Sequence, residues 1–259
     1  MGRPRRLGHR ARRTMIQGSL FPSLTMARLR PLFLYFGAKW GVAPTYPRPA
    51  YPCIIEPFAG SACYSLLYPS HRVMLYDANP RIIAVWRYLI NADEGEVLSL
   101  PDVPEGGTVD DVTWPTDGAK WLAGFWLNHA VSSPCKRMSK WGRVAPHRFW
   151  GPQRRARIAS QLWAIRHWKA AVSSYNEIPD MPATWFVDPP YIDQGMHYGR
   201  FGSRHIDYTH LAEWCKTRSG QTIVCEGDNA SWLPFSEHAI GRSASRKNRL
   251  SRERVWLNP

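Results

Sequence analysis

The sequence predicts an α/β protein built around a mainly parallel β-sheet. Two successive segments share one design, in which a short apolar strand runs into an acidic residue, a turn and a helix. They read YPCIIEPFAGSACYSLLYP at 51–69 and RVMLYDANPRIIAVWRYLIN at 72–91. Two more apolar runs, at 184–187 and 221–226, are separated by a segment with helical spacing. Alternating strands and helices are typical of a parallel sheet with helical crossovers.

The first half of the chain predicts two strands and two helices. Residues 53–55 predict a strand that is followed by a small-residue turn and a helix. Residues 73–76 predict the next strand, and Asn79-Pro80 predicts the start of a helix. Residues 93–118 are acidic and rich in proline and glycine, so they predict a loop.

The second half continues the alternation. Residues 154–171 predict a helix, and HIDYTHLAEWCKTRSG predicts another, with Asp207 as its N-cap and Gly220 as its stop. The residues of that helix expected to face inward are Leu211, Trp214 and Cys215. Residues 221–226 predict a buried strand, and RVWLNP at 254–259 predicts an edge strand.

Length and composition narrow the class of protein. The chain has 259 residues and is 44% hydrophobic, which suits one domain with an insertion or two small domains. No apolar run approaches the roughly 20 residues of a membrane helix, and the arginine-rich N-terminus has no apolar stretch of a secretory signal. Five cysteines without a CxxC pair argue against a disulfide framework or a zinc site. We therefore expect a cytoplasmic protein without a metal.

The net charge of +14 is unevenly distributed. Residues 1–30 hold eight arginines and no acid, and we expect them to form a basic, disordered arm. Between Asp117 and Glu177 there are eleven Lys and Arg residues and no acidic residue. Such a stretch indicates a polyanion-binding surface, with a solvated basic face as the alternative.

Aromatic residues lie among these basic residues. They are Trp121, Phe125, Trp126, Trp141, Phe149, Trp150, Trp163 and Trp168. Rings can stack on bases while cations contact phosphates, so the mixture favours a nucleic-acid surface. Several of these tryptophans are nevertheless expected in the core.

Two of the predicted strands end in acidic residues that point to a ligand. Ligands of open α/β sheets bind beyond the carboxyl ends of the strands, where Glu56 stands, and the small residues at 59–62 allow close approach of a ligand. Asp77 ends the next strand, about 20 residues on, where an acid can accept hydrogen bonds from ribose hydroxyls. The alternative for Asp77 is a helix N-cap. Because GxGxxG and the P-loop motif are both absent, neither NAD nor ATP is favoured.

The stretch TWFVDPPYID at 184–193 ends a buried strand on an acid, two prolines and a tyrosine. Asp188 can accept a hydrogen bond from an amino group, and a carbonyl of the Pro189-Pro190 step can accept the second hydrogen. Tyr191 can stack on the ring that carries the amine. Two acceptors and a fixed position help an aromatic amine to attack an electrophile. A base in a duplex has to be flipped out to reach such a site.

These motifs together resemble the DNA adenine-N6 methyltransferases of the Dam-like class, in which phage enzymes are common. Asp188-Pro189-Pro190-Tyr191 resembles the catalytic motif of that family. The segment YFGAK at 35–39 resembles its N-terminal cofactor motif, and EPFAGSA at 56–62 resembles its EPFxGSG motif. Asp77 matches its acidic ribose contact. The resemblance covers residues 31–257.

The resemblance implies a Rossmann-like class I methyltransferase sheet with an inserted, mostly helical target-recognition segment. The catalytic domain would comprise 31–109 and 181–259, and the DNA-reading insertion 110–180. The implied cofactor is S-adenosyl-L-methionine, held by Tyr35, Lys39, Glu56, Pro57, Phe58, Gly60, Asp77 and Asp188. The implied catalytic residues are Asp188, Pro189, Pro190 and Tyr191. The expected partner of this monomer is double-stranded DNA, contacted by Lys136, Arg137, Lys140, Arg143 and Arg148.

Other substrates stay open at this point. A cytosine-N4 methyltransferase usually has serine where Asp188 stands, which favours adenine. RNA adenine and a protein glutamine are further alternatives within the same chemistry. A non-catalytic DNA-binding relative is an alternative of a different class. Whether methylation would serve restriction–modification, phage protection or regulation is equally open.

Overall fold

The computed structural model describes residues 29–129, 131–144, 148–193, 195–242 and 250–258, so the predicted basic arm lies almost entirely outside it. Its seven-stranded sheet has the order β3-β2-β1-β4-β5-β7-β6. The strands are β1 (Cys53–Glu56), β2 (Arg72–Asp77), β3 (Lys169–Val172), β4 (Ala183–Val187), β5 (Gly220–Glu226), β6 (Ser236–Arg242) and β7 (Leu250–Asn258). Strands β1 to β5 pair in parallel, whereas β7 runs antiparallel to both β5 and β6. The predicted α/β fold is confirmed, and it is compatible with a Rossmann-like fold.

The described helices are α1 (Pro80–Asn91), α2 (Glu94–Ser99), α3 (Asp117–Phe125), α4 (Lys140–Val144), α5 (Pro152–Ala159) and α6 (Tyr208–Lys216). The helix starts predicted at Asn79-Pro80 and at Asp207 are confirmed. The Asn79 side chain accepts a hydrogen bond from the Arg81 amide, and the Asp207 side chain accepts from the first turn of α6. None of the described helices has the length and hydropathy of a membrane span.

Several predicted elements are wrong. The helix expected after β1 is only a 3-10 turn, Ser65–Leu67. The loop expected over 93–118 contains α2, because the Asp93 side chain caps that helix. The helix expected over 154–171 ends at Ala159, and Lys169–Val172 instead pairs with β2 as an edge strand.

The C-terminal end of the sheet also differs from the prediction. β7 is not an edge strand, because it lies between β5 and β6, and β6 was not predicted at all. Gly220 does not stop α6, which ends at Lys216. It begins β5 with a φ of +97°, and a Cβ atom there would lie 2.4 Å from the Ala183 carbonyl oxygen. Only glycine fits such a position without strain.

The core fills both faces of the sheet. Successive residues of β4 divide between them, since Trp185 belongs to the layer that packs against α6 and Phe186 to the layer beneath α1 and α3. Three tryptophans of the basic segment are buried in the second of these layers, namely Trp126, Trp150 and Trp168. Residues 110–180 therefore contribute a strand and core side chains to the body of the sheet.

The contact between α1 and α3 gives a test of the packing. Gly118 of α3 lies so close to α1 that a Cβ would stand 2.4 Å from the Ala84 carbonyl oxygen. We expect Gly118→Ala to lower the free energy of unfolding by about 1–3 kcal/mol, because backbone cannot yield as a side chain would. Denaturant unfolding followed by circular dichroism measures the change. Gly41→Ala is the control, since a Cβ at Gly41 meets nothing within 4 Å; equal stability of the two variants would contradict the close packing.

Candidate active site

A cleft of about 1310 Å³ lies at the carboxyl ends of the central strands. The strand order reverses between β1 and β4, because β2 and β3 extend the sheet to one side and β5 to the other. Such a reversal is where open α/β sheets bind their ligands. All the residues predicted for cofactor and catalysis line this cleft: Tyr35, Lys39, Glu56, Pro57, Phe58, Gly60, Asp77, Asp188, Pro189, Pro190 and Tyr191.

A buried ion pair lies at the floor of the cleft. The Lys39 Nζ atom is 3.1 Å from Asp188 Oδ1 and donates a hydrogen bond to the Gly37 carbonyl oxygen at 3.1 Å. The same ammonium lies 4.4 Å from the centroid of the Tyr191 ring. Burial raises the pKa of Asp188 to about 6; the Lys39 ammonium opposes this shift and the Glu253 carboxylate adds to it. Asp188 is therefore mainly ionised at neutral pH.

Glu253, which was not predicted from the sequence, lies on β7 and reaches the floor of the cleft beside Lys39. Its side chain is buried and accepts hydrogen bonds from the phenols of Tyr191 and Tyr46, the latter at 3.4 Å. Its Oε1 atom lies 4.0 Å from Lys39 Nζ. The one available clue was an acid directly before the predicted terminal strand. That clue is weak, because nothing in the local sequence shows which face of the strand is covered.

Asp77 joins the loops that follow β1 and β2. Its Oδ2 atom accepts a hydrogen bond from the Gly60 amide at 3.1 Å, and its Oδ1 atom accepts from the Asn79 amide at 2.8 Å. Helix α1 is capped by Asn79 itself, so the N-cap alternative for Asp77 is wrong. Each carboxylate oxygen keeps a second lone pair for a ligand hydroxyl. Burial raises the pKa of Asp77 to about 6, and the two amide donors oppose the shift.

The small-residue loop after β1 is held against the core. The indole Nε1 of Trp86 donates to the Gly60 carbonyl oxygen at 2.8 Å. Gly60 has a φ of +44°, and a Cβ there would lie 3.0 Å from the Tyr35 ring. Only a residue without a side chain leaves this wall of the cleft open.

Glu56 lines the cleft but is turned toward its own chain. Only 2% of the residue is exposed, and Oε1 accepts a hydrogen bond from the Ser65 amide at 2.9 Å. Burial raises the pKa of Glu56 to about 8, against the opposing effect of the Ser65 donors. Glu56 is therefore mainly protonated at neutral pH. Its hydrogen bond from the Ser65 amide fixes the turn after β1.

The Asp-Pro-Pro-Tyr turn is tied down from α6. The Tyr208 phenol donates to the Pro190 carbonyl oxygen. Of the two proline carbonyls in the turn, that of Pro190 is therefore already hydrogen-bonded. The Lys39 ammonium lies over one face of the Tyr191 ring, so that face is covered.

The segment after Tyr191 folds over the N-terminal loop at 35–39. The Tyr198 phenol donates to the Phe36 carbonyl oxygen at 3.0 Å, and its ring centroid lies 5.8 Å from that of Tyr35. Two exposed cations, Arg148 and Arg200, also line the cleft. They give its outer part a positive charge, whereas the carboxylates lie at the floor.

The residues predicted to contact DNA differ in their positions relative to the cleft. Arg148 lines the cleft, whereas Lys136, Arg137 and Lys140 lie outside its lining. Lys136 pairs with Asp110 at 2.7 Å, and Arg137 donates to the Gly106 carbonyl oxygen at 2.7 Å. Lys140 is exposed at the start of α4, and the side chain of Arg143 lies outside the described part of the structure.

Part of the basic segment serves the fold itself. Arg157 donates to the Pro31 carbonyl oxygen at 3.1 Å, and Arg166 donates to the Ile90 carbonyl oxygen at 3.1 Å. Arg155 is buried and pairs with the Asp102 carboxylate. The guanidinium of Arg154 lies 4.1 Å from the centroid of the Trp126 ring. Charge in this segment is therefore shared between internal contacts and solvent.

Comparison with models of protein families gives no match, and no curated protein is significantly similar to the chain. Within the described residues, no group of three or more His, Cys, Asp or Glu side chains is placed to hold a metal ion. The interpretation of the cleft consequently depends on its geometry and on the motif residues.

Glu56 gives a test of burial in the cleft wall. Its pKa is about 8 in the folded protein against 4.5 for an exposed carboxyl, so the folded state binds the proton more tightly. The free energy of unfolding that Glu56 contributes is fully present below the pKa of 4.5 and is lost as pH rises through the folded-state pKa of about 8. We expect Glu56→Gln to melt at a higher temperature than wild type at about pH 8 and at the same temperature at about pH 4.5.

Thermal unfolding at both pH values measures the difference in melting temperature between Glu56→Gln and wild type. Glu105→Gln, in an exposed loop, is the matched control. An equal gap at both pH values would show that Glu56 is not protonated on folding.

Proposed function

We propose that the protein is an S-adenosylmethionine-dependent DNA adenine-N6 methyltransferase of the Dam-like class. One observation carries the proposal: the turn from Asp188 to Tyr191 and the predicted cofactor residues line a single cleft at the reversal of strand order. The reversed strand β7 adds support. A dinucleotide-binding sheet has the order 3-2-1-4-5-6, whereas here the antiparallel strand β7 lies between β5 and β6, which argues against a dinucleotide as the ligand.

The cleft residues suit S-adenosylmethionine in three respects. Asp77 has lone pairs left for the ribose hydroxyls, as described above. Gly60 leaves the loop wall open at a point where a Cβ would meet the Tyr35 ring. The floor carries the carboxylates of Asp188 and Glu253 against the single ammonium of Lys39, which suits a cationic ligand.

The Asp-Pro-Pro-Tyr turn supplies the groups that would hold the target amine. Asp188 Oδ1 is buried and accepts no well-directed hydrogen bond from the described residues, although Lys39 lies beside it. This atom and the Pro189 carbonyl would accept the two hydrogens of an exocyclic amine. Two such acceptors turn the nitrogen lone pair toward the electrophile and fix its line of attack.

S-adenosylmethionine, when bound, would supply a methyl group on a sulfonium and would leave as the neutral sulfide once the amine takes the methyl. Asp188 would then place its carboxylate next to the amine nitrogen, where positive charge develops. Asp188 is also the acceptor within reach of the proton that the amine must lose. Its ionisation is thus required, and burial with a pKa of about 6 leaves it mainly ionised at neutral pH.

The proposed substrate is an adenine flipped out of a DNA duplex, because the acceptors lie at the floor of the cleft. Arg148 and Arg200 line its outer part, where phosphates on either side of a flipped base would pass. Lys136, Arg137, Lys140 and Arg143 are proposed as further phosphate contacts of residues 110–180. A monomer acting in a bacterial or phage-infected cytoplasm completes the proposal.

Product identification tests the reaction. We expect purified protein, incubated with S-adenosylmethionine and unmethylated DNA, to yield N6-methyladenine on mass spectrometry of the digested nucleosides. Asp188→Ala should abolish the product while circular dichroism shows an unchanged fold, because the amine loses its acceptor. Methylated cytosine, or N6-methyladenine from RNA only, would replace the proposal by one of the alternatives. Turnover retained by Asp188→Ala would refute the role of that acid.

The salt dependence of DNA binding tests the basic surface. We expect the logarithm of the affinity to fall linearly with the logarithm of salt concentration, because phosphate contacts release counterions, with a slope of about −0.9 for each contact. Arg148→Ala should make the slope shallower by about 1. Lys216→Ala, on α6 and paired with Glu213, is the control and should leave it unchanged. A slope near zero for wild type would contradict a phosphate-binding surface.

A further inference from the structure

We propose that Glu253 is a positioning residue of the cleft, which fixes the Tyr191 ring through its phenol and gives the cleft floor a net negative charge. The inference rests on the proposed methyl transfer and deepens it. Glu253 belongs to none of the motif segments, and it reaches the site only because β7 lies beside β5.

Glu253 is in position to orient Tyr191. It is 8% exposed, and its Oε2 atom accepts the Tyr191 phenol hydrogen. The Tyr46 phenol approaches the same oxygen at 3.4 Å, so the carboxylate is itself held from a second side. A hydrogen bond to a charged acceptor is about twice as strong as one between neutral groups. The phenol end of the Tyr191 ring is therefore fixed in the lining of the cleft.

The charges at the floor do not balance. Lys39 lies 3.1 Å from Asp188 and 4.0 Å from Glu253, so one ammonium faces two carboxylates. The other cations that line the described cleft, Arg148 and Arg200, are exposed. A buried charge without a counter-ion is costly, so an unpaired carboxylate here points to a ligand that brings the missing cation.

The negative floor favours the cationic sulfonium when the ligand binds. The amine nitrogen, held beside Asp188 and Tyr191, would gain positive charge only as the methyl is transferred, and Glu253 lies against the same ring. A fixed charge aimed at the place where charge develops stabilises the transition state more than the bound ligand, so it lowers the barrier. Glu253 also draws on the Lys39 ammonium, which would otherwise pair with Asp188 alone and compete with the substrate amine.

The effect of the Glu253 charge can be measured through the pKa of Asp188. The titratable groups that act on Asp188 are Lys39 from the N-terminal loop, Glu253 from β7, Glu56 from β1, Glu226 from β5 and the thiols of Cys63 and Cys225. The phenols of Tyr35, Tyr46, Tyr191 and Tyr198 also face it, but their raised pKa values keep them neutral over the assay range. Removing the negative charge of Glu253 makes ionisation of Asp188 easier, so its pKa falls.

The decisive variant is Glu253→Gln, which keeps the size of the side chain and an oxygen that can accept the Tyr191 phenol. We expect its kcat for DNA methylation to fall roughly tenfold or more, with KM for DNA changed less than about twofold. The acidic limb of its kcat/KM profile should move to lower pH. Glu237→Gln on β6 is the matched control, because it removes an exposed carboxylate from the neighbouring strand.

A binding measurement separates charge from turnover. Calorimetry with S-adenosylmethionine and with S-adenosylhomocysteine compares a sulfonium with a neutral sulfide in otherwise similar ligands. We expect wild type and Glu237→Gln to prefer the cationic ligand and Glu253→Gln to lose most of that preference. Thermal unfolding of all three proteins shows whether each remains folded.

The outcomes are distinguishable. If wild type methylates adenine, and Glu253→Gln keeps its kcat, its acidic limb and its ligand preference, the inference about Glu253 is overturned while the proposed function stands. If wild type methylates nothing, the proposed function fails, and the ligand preference alone then decides whether Glu253 supplies charge. Binding of neither ligand by folded wild type would overturn both.

Discussion

The buried ammonium of Lys39, shared between two carboxylates, is the interaction on which the cleft depends. It joins three distant parts of the chain, namely the N-terminal loop, the turn after β4 and the antiparallel strand β7. Removing the ammonium would leave two buried carboxylates without their counter-ion, which costs about 3–5 kcal/mol. The arrangement therefore fixes the position of the N-terminal loop over the sheet as well as the electrostatics of the site.

Three acids that line the cleft are buried away from water. Burial raises the pKa values of Glu56, Asp77 and Asp188. A core built for stability alone would use apolar residues at such positions, so these acids make the cleft a candidate functional site.

Local patterns explain why much of the fold was predictable. Apolar runs identified β1, β2, β4 and β5, and capping side chains identified the starts of α1 and α6. Tyr35 and Lys39 followed from the resemblance alone, whereas Glu56, Asp77 and Asp188 followed from one rule, that strand ends meet at one edge of a parallel sheet. Their shared position in the structure confirms that rule for residues as far apart as Glu56 and Asp188.

What the sequence left hidden depends on contacts between distant segments. Strand β3 is short and half-exposed, so its pattern resembles the end of the preceding helix. The position of β7 follows from pairing with strands elsewhere in the chain, and Glu253 is understood only through that pairing. The sequence does not distinguish an arginine that donates to a distant carbonyl, such as Arg157, from one that would face DNA.

The placement of β7 has a consequence for how the protein matures. Strand β6 precedes β7 in the chain, yet β7 occupies the place between β5 and β6, so this part of the sheet cannot assemble in simple chain order. The pairing of β1 with β4 joins segments much further apart in the chain than the pairings of β7 with β5 and β6. Because pairings between distant segments form slowly, the part of the sheet from β4 to β6 would form before β1 joins it. That part carries both Asp188 and Glu253, so the two acids would be brought together before the N-terminal half of the chain, with Lys39, completes the cleft.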